Sequence, residues 1–337
     1  MRRLTVVILA LALIGATTGT SGWRGVFARL AATADDDPSG VLRGRDGWLF
    51  LGSELRHLSL ERFWGEQAAA VSRSRRPEWA DPRAAILDVK QQLDARGIRL
   101  LFVPVPPKAA VHAAHLPLDA AAPAGRADAP DAAFYADLET QGVGVLDLEP
   151  ELARLQEPAF CRQDTHWCAP GIQRAASRIA ETLRSRGWVG DRDPDPFEIE
   201  ARDITITGDL WTLLGDASLA KERVRIGVVG RREGAALTPV EPDPESPVLL
   251  LGDSHNLVFH AGGDLHARGA GLPDHLAREL GFAVDVVAVR GSGATPARMN
   301  LLRRKDALTH KRVVVWCLAA RELSESAGGW RPLPVAR

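Results

Sequence analysis

The chain has 337 residues, enough for one large domain or two modest ones and for a sizeable buried core. Hydrophobic residues make up 45% and charged residues 25%, the proportions of an ordinary globular protein. A formal net charge of −1 gives no basic face for a nucleic-acid partner, so none is expected.

At the N-terminus, Met1-Arg2-Arg3 precedes the apolar run LTVVILALALIGA (Leu4 to Ala16) and then the small, polar TTGTSG. This order, over residues 1–22, is that of a secretory signal. The run is shorter than the roughly 20 apolar residues that span a bilayer comfortably. No clean A-x-A cleavage site follows, so a cleaved signal and an uncleaved anchor both fit. Either one puts the body of the protein across the membrane. Export changes the meaning of the cysteines, because nearby thiols outside the cytoplasm tend to be oxidised. Cys161, Cys168 and Cys317 are an odd count, which allows at most one bridge.

Residues 23–43 read as a stem that ends in acidic and Pro/Gly turn signals, and 44–337 as one domain. GRDGWLFLGSE (Gly44 to Glu54) gives a turn and an apolar strand. The spacing predicts a helix from Asp81 to Gly97, running into IRLLFVPVPPK (Ile98 to Lys108), a continuous apolar run typical of a buried parallel strand. An Ala/Pro/Asp-rich surface loop covers 118–130. A helix from Ala132 to Thr140, a strand from Gly142 to Leu148 and a helix from Gly171 to about Arg184 follow. The C-terminal half continues with a strand at PVLLLGDSH (Pro247 to His255), a helix at Leu272 to Gly281 and a strand at Phe282 to Gly293. A helix at Ala294 to Arg304 and a strand at Arg312 to Glu322 complete it. This alternation predicts a three-layer α/β/α domain with a mainly parallel central sheet.

In open sheets of this kind, ligands bind at the carboxyl ends of strands. Ser254 follows the strand LLLG through Asp253, which is how a nucleophilic serine is presented, with its own N–H available to an oxyanion. The alternative is an ordinary polar turn. A serine needs a histidine to take its proton and a third group to orient that histidine. Asp164 and His166 in QDTHW supply the pair, since two residues apart on an extended segment they point to one face. A capped helix start with a surface histidine is the plainer reading of that segment. Gly291 and Gly293 can add a second oxyanion N–H or simply make a tight turn, and Arg290 in that turn can orient a substrate or a loop. His255 reads as a polar turn residue ahead of a ligand contact.

Cys161, Asp164, His166 and Cys168 are too crowded for a zinc site and have no CxxC partner, so no metal is expected. A thiol nucleophile would tend to be capped by oxidation. Gly291-Ser292-Gly293 lacks the spacing of a dinucleotide fingerprint, and no cofactor is expected.

The ordered set GRDGWLF, FVPVPPKAAVHAAHLP, DTHW..PG, TGDLWTLL (Thr207 to Leu214), LLLGDSH and VVVWCLAARELS resembles the SGNH hydrolase-like, alginate O-acetyltransferase (AlgX/AlgJ-like) proteins of bacterial exopolysaccharide export. The similarity runs from about Gly44 to Trp330. It implies an SGNH-type α/β/α domain with permuted triad segments, in which Ser254, His166 and Asp164 form the triad. It also implies a periplasmic enzyme that moves acetyl through a serine acyl-enzyme onto hydroxyls of an alginate-like polysaccharide. A membrane-bound acyltransferase would supply the donor, and other exopolysaccharide export proteins would be partners.

Three departures qualify the resemblance. The chain ends soon after the last strand, which points to the shorter, membrane-anchored type without a C-terminal carbohydrate-binding module. Cys317 stands where an acidic residue is expected. The cysteines around DTHW look like a local addition. Cys161 and Cys168 can bridge across the loop if their α-carbons approach within roughly 4.4–6.8 Å. Pairing of one of them with Cys317, or three small buried hydrophobes, also fits. An esterase on the same triad, or a non-catalytic polysaccharide-binding or assembly subunit, would share this sequence pattern.

Overall fold

The apolar runs of the sequence pair into one sheet. The computed structural model describes residues 22–190, 197–305 and 308–336, so the expected signal or anchor lies, but for Gly22, outside the described residues. In chain order the strands are β1 (Val41–Arg43), β2 (Leu49–Leu51), β3 (Arg99–Val105), β4 (Gly144–Val145) and β5 (Phe197–Ile206). They continue with β6 (Glu222–Glu233), β7 (Ala236–Pro239), β8 (Val248–Gly252), β9 (Asp285–Ala288) and β10 (Val313–Ala319). The central sheet has the order β4-β3-β10-β8-β9 with every pairing parallel. As the only strand bonded to both β3 and β8, β10 is the spine of the sheet, and all seven of its residues are buried.

Strand periodicity divides the core in two. Val313, Val315 and Cys317 face one cluster, with the helices Ala169–Ser185 and Leu272–Leu280 packed on that side through Ile172, Ile179 and Leu276. Val314, Trp316 and Leu318 face the other, covered by the helices Pro82–Asp94, Ala129–Thr140 and Thr295–Arg303 through Ile86, Phe134 and Leu301. Each fully buried Ile, Leu or Phe side chain contributes roughly 1.5–3 kcal/mol against exposure. This gives the expected three-layer α/β/α architecture. The helix Pro82–Asp94 begins as its sequence signals: the Asp81 side chain caps the Arg83 N–H and Pro82 takes the first helical position.

Two regions depart from expectation. Residues 23–43, expected as a stem, pack onto the body of the domain. The helix Trp23–Asp35 buries Phe27, Leu30 and Ala34 against Leu55 and Leu58, and β1 pairs with β2. The amphipathic spacing of Val26, Phe27, Leu30 and Ala34 carried that signal beneath the acidic turn residues. Residues 197–239, for which no elements are expected, form a second, antiparallel sheet of β5, β6 and β7. Only Phe197 and Ile206 are buried among the ten residues of β5, so no apolar run betrays it. Among the described residues, no helix is long and apolar enough to cross a membrane.

Candidate active site

Ser254 stands two residues beyond the carboxyl end of β8, beside the ends of β9 and β10. Gly252, the last residue of β8, pairs with both Cys317 and Ala288, and a Cβ there would come within 1.7 Å of the Cys317 carbonyl oxygen. Only glycine fits this approach. Asp253 then turns the chain: its Oδ1 accepts the His255 N–H at 2.9 Å and its Oδ2 the Ala319 N–H at 2.7 Å. The Asn256 amide adds a bond to the Cys317 carbonyl at 2.9 Å. The serine is therefore carried on a turn stitched to the neighbouring strand, and it is half-buried.

The acid–base pair arrives from the other side on a short hairpin. Phe160 and Trp167 form an isolated antiparallel bridge, and Cys161 and Cys168 are joined by a disulfide with α-carbons 5.0 Å apart. Cys317 is free and buried in the core, and its burial pushes the thiol well above its usual range. The helix Ala169–Ser185 begins directly after the bridge. A Cβ at Gly171 would fall 2.2 Å from the Ala159 carbonyl oxygen, so the glycine lets helix and hairpin touch.

Between the cysteines the chain bends rather than extends, which corrects the expected strand-like alternation. Asp164 and His166 meet because Asp164 Oδ1 accepts both the His166 backbone N–H at 2.9 Å and its Nδ1 at 2.6 Å. That is the local bond to a backbone N–H two residues on that makes aspartate a turn former. His166 Nε2 lies 2.8 Å from Ser254 Oγ. A carboxylate only accepts, so the imidazole proton sits on Nδ1 and the Nε2 lone pair faces the serine hydroxyl.

The electrostatics reinforce this arrangement. Burial opposes charge on both groups, but mutual attraction wins: Asp164 is held well below the usual carboxylate range, and His166 is raised above its ordinary value. Asp164 accepts two more hydrogen bonds on Oδ2, from the Asp209 N–H at 3.0 Å and from His266 Nε2 at 3.0 Å.

Behind the bend, the buried Lys108 Nζ donates to the carbonyls of Arg162 at 2.8 Å and Asp164 at 2.9 Å. Burial pulls its ammonium down to about 8 against the upward pull of Glu54 and Asp164. Its head also lies 5.2 Å from the Trp48 ring centroid, so the GRDGWLF turn forms part of the same support.

The remaining expected residues lie at graded distances from the chemistry. Gly293 sits against the serine turn: a Cβ there would lie 3.1 Å from the Asp253 nitrogen. Gly291 adopts φ +90° in open space, as a tight turn requires. Arg290 is exposed and forms a bidentate pair with Asp264, both contacts 2.6 Å, so its charge is already answered. His255 lies in the turn Ser254–Asn256, as expected. It is buried, bonded to Asp253, with its ring 4.7 Å from that of His166. Burial lowers its pKa, so it forms a neutral wall beside His166.

Among the described residues, Asp164, His166 and Asp209 bring three potential metal-ligand atoms within 4.8 Å of one another. Those atoms are already engaged with one another and with Thr165, whose N–H and hydroxyl bond Asp209 at 2.7 and 2.5 Å. The set is a hydrogen-bond network around one imidazole.

Sequence reading missed Lys108, Asp209 and His266 as parts of this site. Lys108 had a signal, a cation ending a buried strand at the sheet's carboxyl edge. Asp209 lay within the quoted TGDLWTLL, unassigned. Nothing in the residues around His266 marks it.

With this geometry in view, similarity to known proteins becomes informative. Residues 41–320 match the family described as "SGNH hydrolase-like domain, acetyltransferase AlgX". The chain is 28% identical over 257 residues to the "Probable alginate O-acetylase AlgJ" of Pseudomonas putida, covering 72% of this chain and 60% of that protein. The protein of the same name from Pseudomonas fluorescens is 25% identical over 320 residues, 90% of this chain and 73% of that one. The chain thus spans about three-fifths of the length of the first of these relatives.

Among solved structures, the O-acetyltransferase domain of Pseudomonas putida AlgJ superposes with a TM-score of 0.64 at 26% identity, covering 85% of this chain and 92% of that one. Pseudomonas aeruginosa AlgX shares the fold with a TM-score of 0.56 at 17% identity, over 85% of this chain and 64% of that one. A match that takes in β1, the whole central sheet, the DTHW hairpin and the serine turn leaves no element of the site outside it. The chain belongs to the AlgX-type family of SGNH hydrolase-like domains.

Proposed function

We propose that the protein is an exported polysaccharide O-acetyltransferase that works through an acetyl-serine intermediate. The observation that carries this reading is the continuous chain of hydrogen bonds Ser254–His166–Asp164, with contacts of 2.8 and 2.6 Å, at the carboxyl edge of a parallel sheet. Support for the chemistry comes from relatives named as alginate O-acetylases.

His166 Nε2 takes the proton of Ser254 Oγ as that oxygen attacks the carbonyl carbon of an acetyl ester or thioester donor. Asp164 keeps the proton on Nδ1 and stabilises the imidazolium that forms. The N–H groups of Ser254 and Gly293 are the candidate donors to the tetrahedral oxyanion. Its collapse breaks the bond to the leaving group, which takes the proton from His166 and leaves acetyl-Ser254. A sugar hydroxyl then attacks the acetyl carbon, His166 accepts the hydroxyl proton, and collapse returns that proton to Ser254 Oγ.

The acceptor is an exopolysaccharide of the alginate-like class. The charged flank and apolar run of residues 1–22 support a periplasmic location, either after cleavage or as an inner-membrane anchor. A membrane-bound acyltransferase that carries acetyl across the bilayer, together with other export proteins, completes the expected set of partners.

The test incubates purified protein with an activated acetyl ester and uronate or neutral oligosaccharides. Released acetate and acetylated sugar are followed by mass spectrometry, with Ser254→Ala alongside. Sugar acetylation that depends on Ser254 is the expected result. Acetate release without sugar acetylation reassigns the enzyme to hydrolysis. A Ser254→Ala variant equal to the parent in both assays overturns catalysis by this triad.

A further inference from the structure

We infer that His266 is a positioning residue of this site, a second histidine that completes the chain Ser254–His166–Asp164–His266. The inference rests on the triad reading above. Asp164 Oδ1 is committed to His166, and Oδ2 is held by the Asp209 N–H and by His266 Nε2, each at 3.0 Å. Removing His266 takes away the only side-chain donor among the described residues that fixes Oδ2. The carboxylate then keeps only backbone N–H donors beside His166 itself, so it is held less firmly and the direction of its bond to the imidazole is less well fixed.

The backbone at His266 supplies an independent observation. It lies at φ +75° and ψ −53°, and the Ala267 N–H donates to the Leu265 carbonyl at 3.0 Å. This is a γ-turn with a positive central φ, a rare and strained geometry that a β-carbon makes worse. Glycine would relax it, and the chain places glycines at Gly262 and Gly263, both at positive φ, in the same tip. Strain kept by a bulky residue where glycine would serve points to a side-chain role.

That side chain is 8% exposed, its ring 5.1 Å from Phe259, with Nε2 turned to the carboxylate. The tip is fixed on both sides. Phe259 pairs through its backbone with Leu265 and Ala270, and Asp264 grips Arg290 on the turn that carries Gly291 and Gly293. The loop therefore links the acid end of the triad to its oxyanion side. Of the two roles expected for Arg290, orienting a substrate or a loop, its pair with Asp264 fits the second.

The experiment uses His266→Gly, which relieves the backbone and deletes the donor, and His266→Gln, whose amide can donate from about the position of Nε2. Loss of one hydrogen bond to a charged group predicts that Ser254 acetylation by an activated ester slows roughly 10–100-fold in His266→Gly, with KM unchanged. Its melting temperature should be no lower than the parent's. His266→Gln should recover most of the rate.

A readout independent of turnover is the NMR titration of histidine-labelled protein, in which the His166 pKa and its downfield Nδ1 proton should change in His266→Gly and return in His266→Gln. Parental rate and parental His166 titration in His266→Gly would overturn the inference. So would a rate loss in both variants that follows a fall in melting temperature. If the parent itself shows no Ser254-dependent acetylation, the triad reading fails, and the titration still decides whether His266 governs the Asp164–His166 pair.

Discussion

Among the described residues, two Ser–His–Asp arrangements stand out, and they differ in access and in how the carboxylate is held. In the second, His57 Nδ1 lies 2.7 Å from Ser324 Oγ and Nε2 lies 2.9 Å from Asp131 Oδ1. Distances match those of Ser254–His166–Asp164, but almost everything else differs. Ser324 is 1% exposed inside a short helix, whereas Ser254 is half-buried on a turn at the sheet's carboxyl edge. The ring is reversed, with serine on Nδ1 and carboxylate on Nε2. Asp164 accepts four hydrogen bonds, while Asp131 Oδ2 finds no partner among the described residues. Residue types and distances alone do not make a catalytic triad; access and a fully oriented carboxylate do.

This contrast can be broken most sharply at the serines. Ser254→Ala should lower kcat/KM for an activated acetyl ester by roughly 10⁴-fold, at unchanged stability. Equal activity in the variant would place the nucleophile elsewhere. Because His166 must be neutral to act as base and its pKa is raised, activity should fall on acidification with a midpoint above the ordinary histidine value of about 6.5. A pH–rate profile checks this, and a midpoint below that value would contradict the coupling to Asp164.

His57 should show the opposite signature, in stability. Burial opposes its charge, but Asp131 and Glu325 outweigh it and raise the pKa. A raised folded pKa stabilises fully below the unfolded value of about 6.5 and is lost as pH climbs through the folded one. Stability against denaturant should therefore fall on the alkaline side of that window, and His57→Gln should flatten the slope. His57→Leu leaves Asp131 buried and unpaired, which should cost about 3 to 5 kcal/mol without a specific effect on the chemistry of folded enzyme.

The disulfide comes next in size. Closing the short loop between Cys161 and Cys168 contributes about 2 kcal/mol by restricting the unfolded chain. Paired Cys→Ser changes should lower the unfolding free energy by that amount, and thiol labelling should find two further thiols after reduction. An unchanged denaturation midpoint would show that the hairpin is held by its other contacts, Lys108 foremost. Smallest of all, Ser324→Ala should cost about 1 kcal/mol and leave acetyl transfer untouched, the result that most cleanly separates the two arrangements.

The fold was largely legible because its central strands are buried on both faces and read as unbroken apolar runs: VVVWCLA, RLLFVPV and VLLLG all became neighbours. The second sheet was not, because β5 is mostly exposed and both β5 and β6 mix charged with apolar residues, so their pairing depends on what they pack against. The helix Trp23–Asp35 was hidden for a related reason. An amphipathic stripe shows that a segment can pack, without showing where.

By itself the sequence determined the chemistry-bearing residues that local spacing governs. Ser254 follows a strand through a glycine that nothing larger can replace, and Asp164 reaches His166 two residues on. Tertiary structure alone decided what surrounds them. It put Lys108 beneath the bend, Asp209 and His266 on the far oxygen of Asp164, and Arg290 on Asp264. Local sequence sets turns and caps through bonds between near neighbours. The last contacts on the Asp164 carboxylate come from residues 45 and 102 positions away, and no pattern within a short window can announce them.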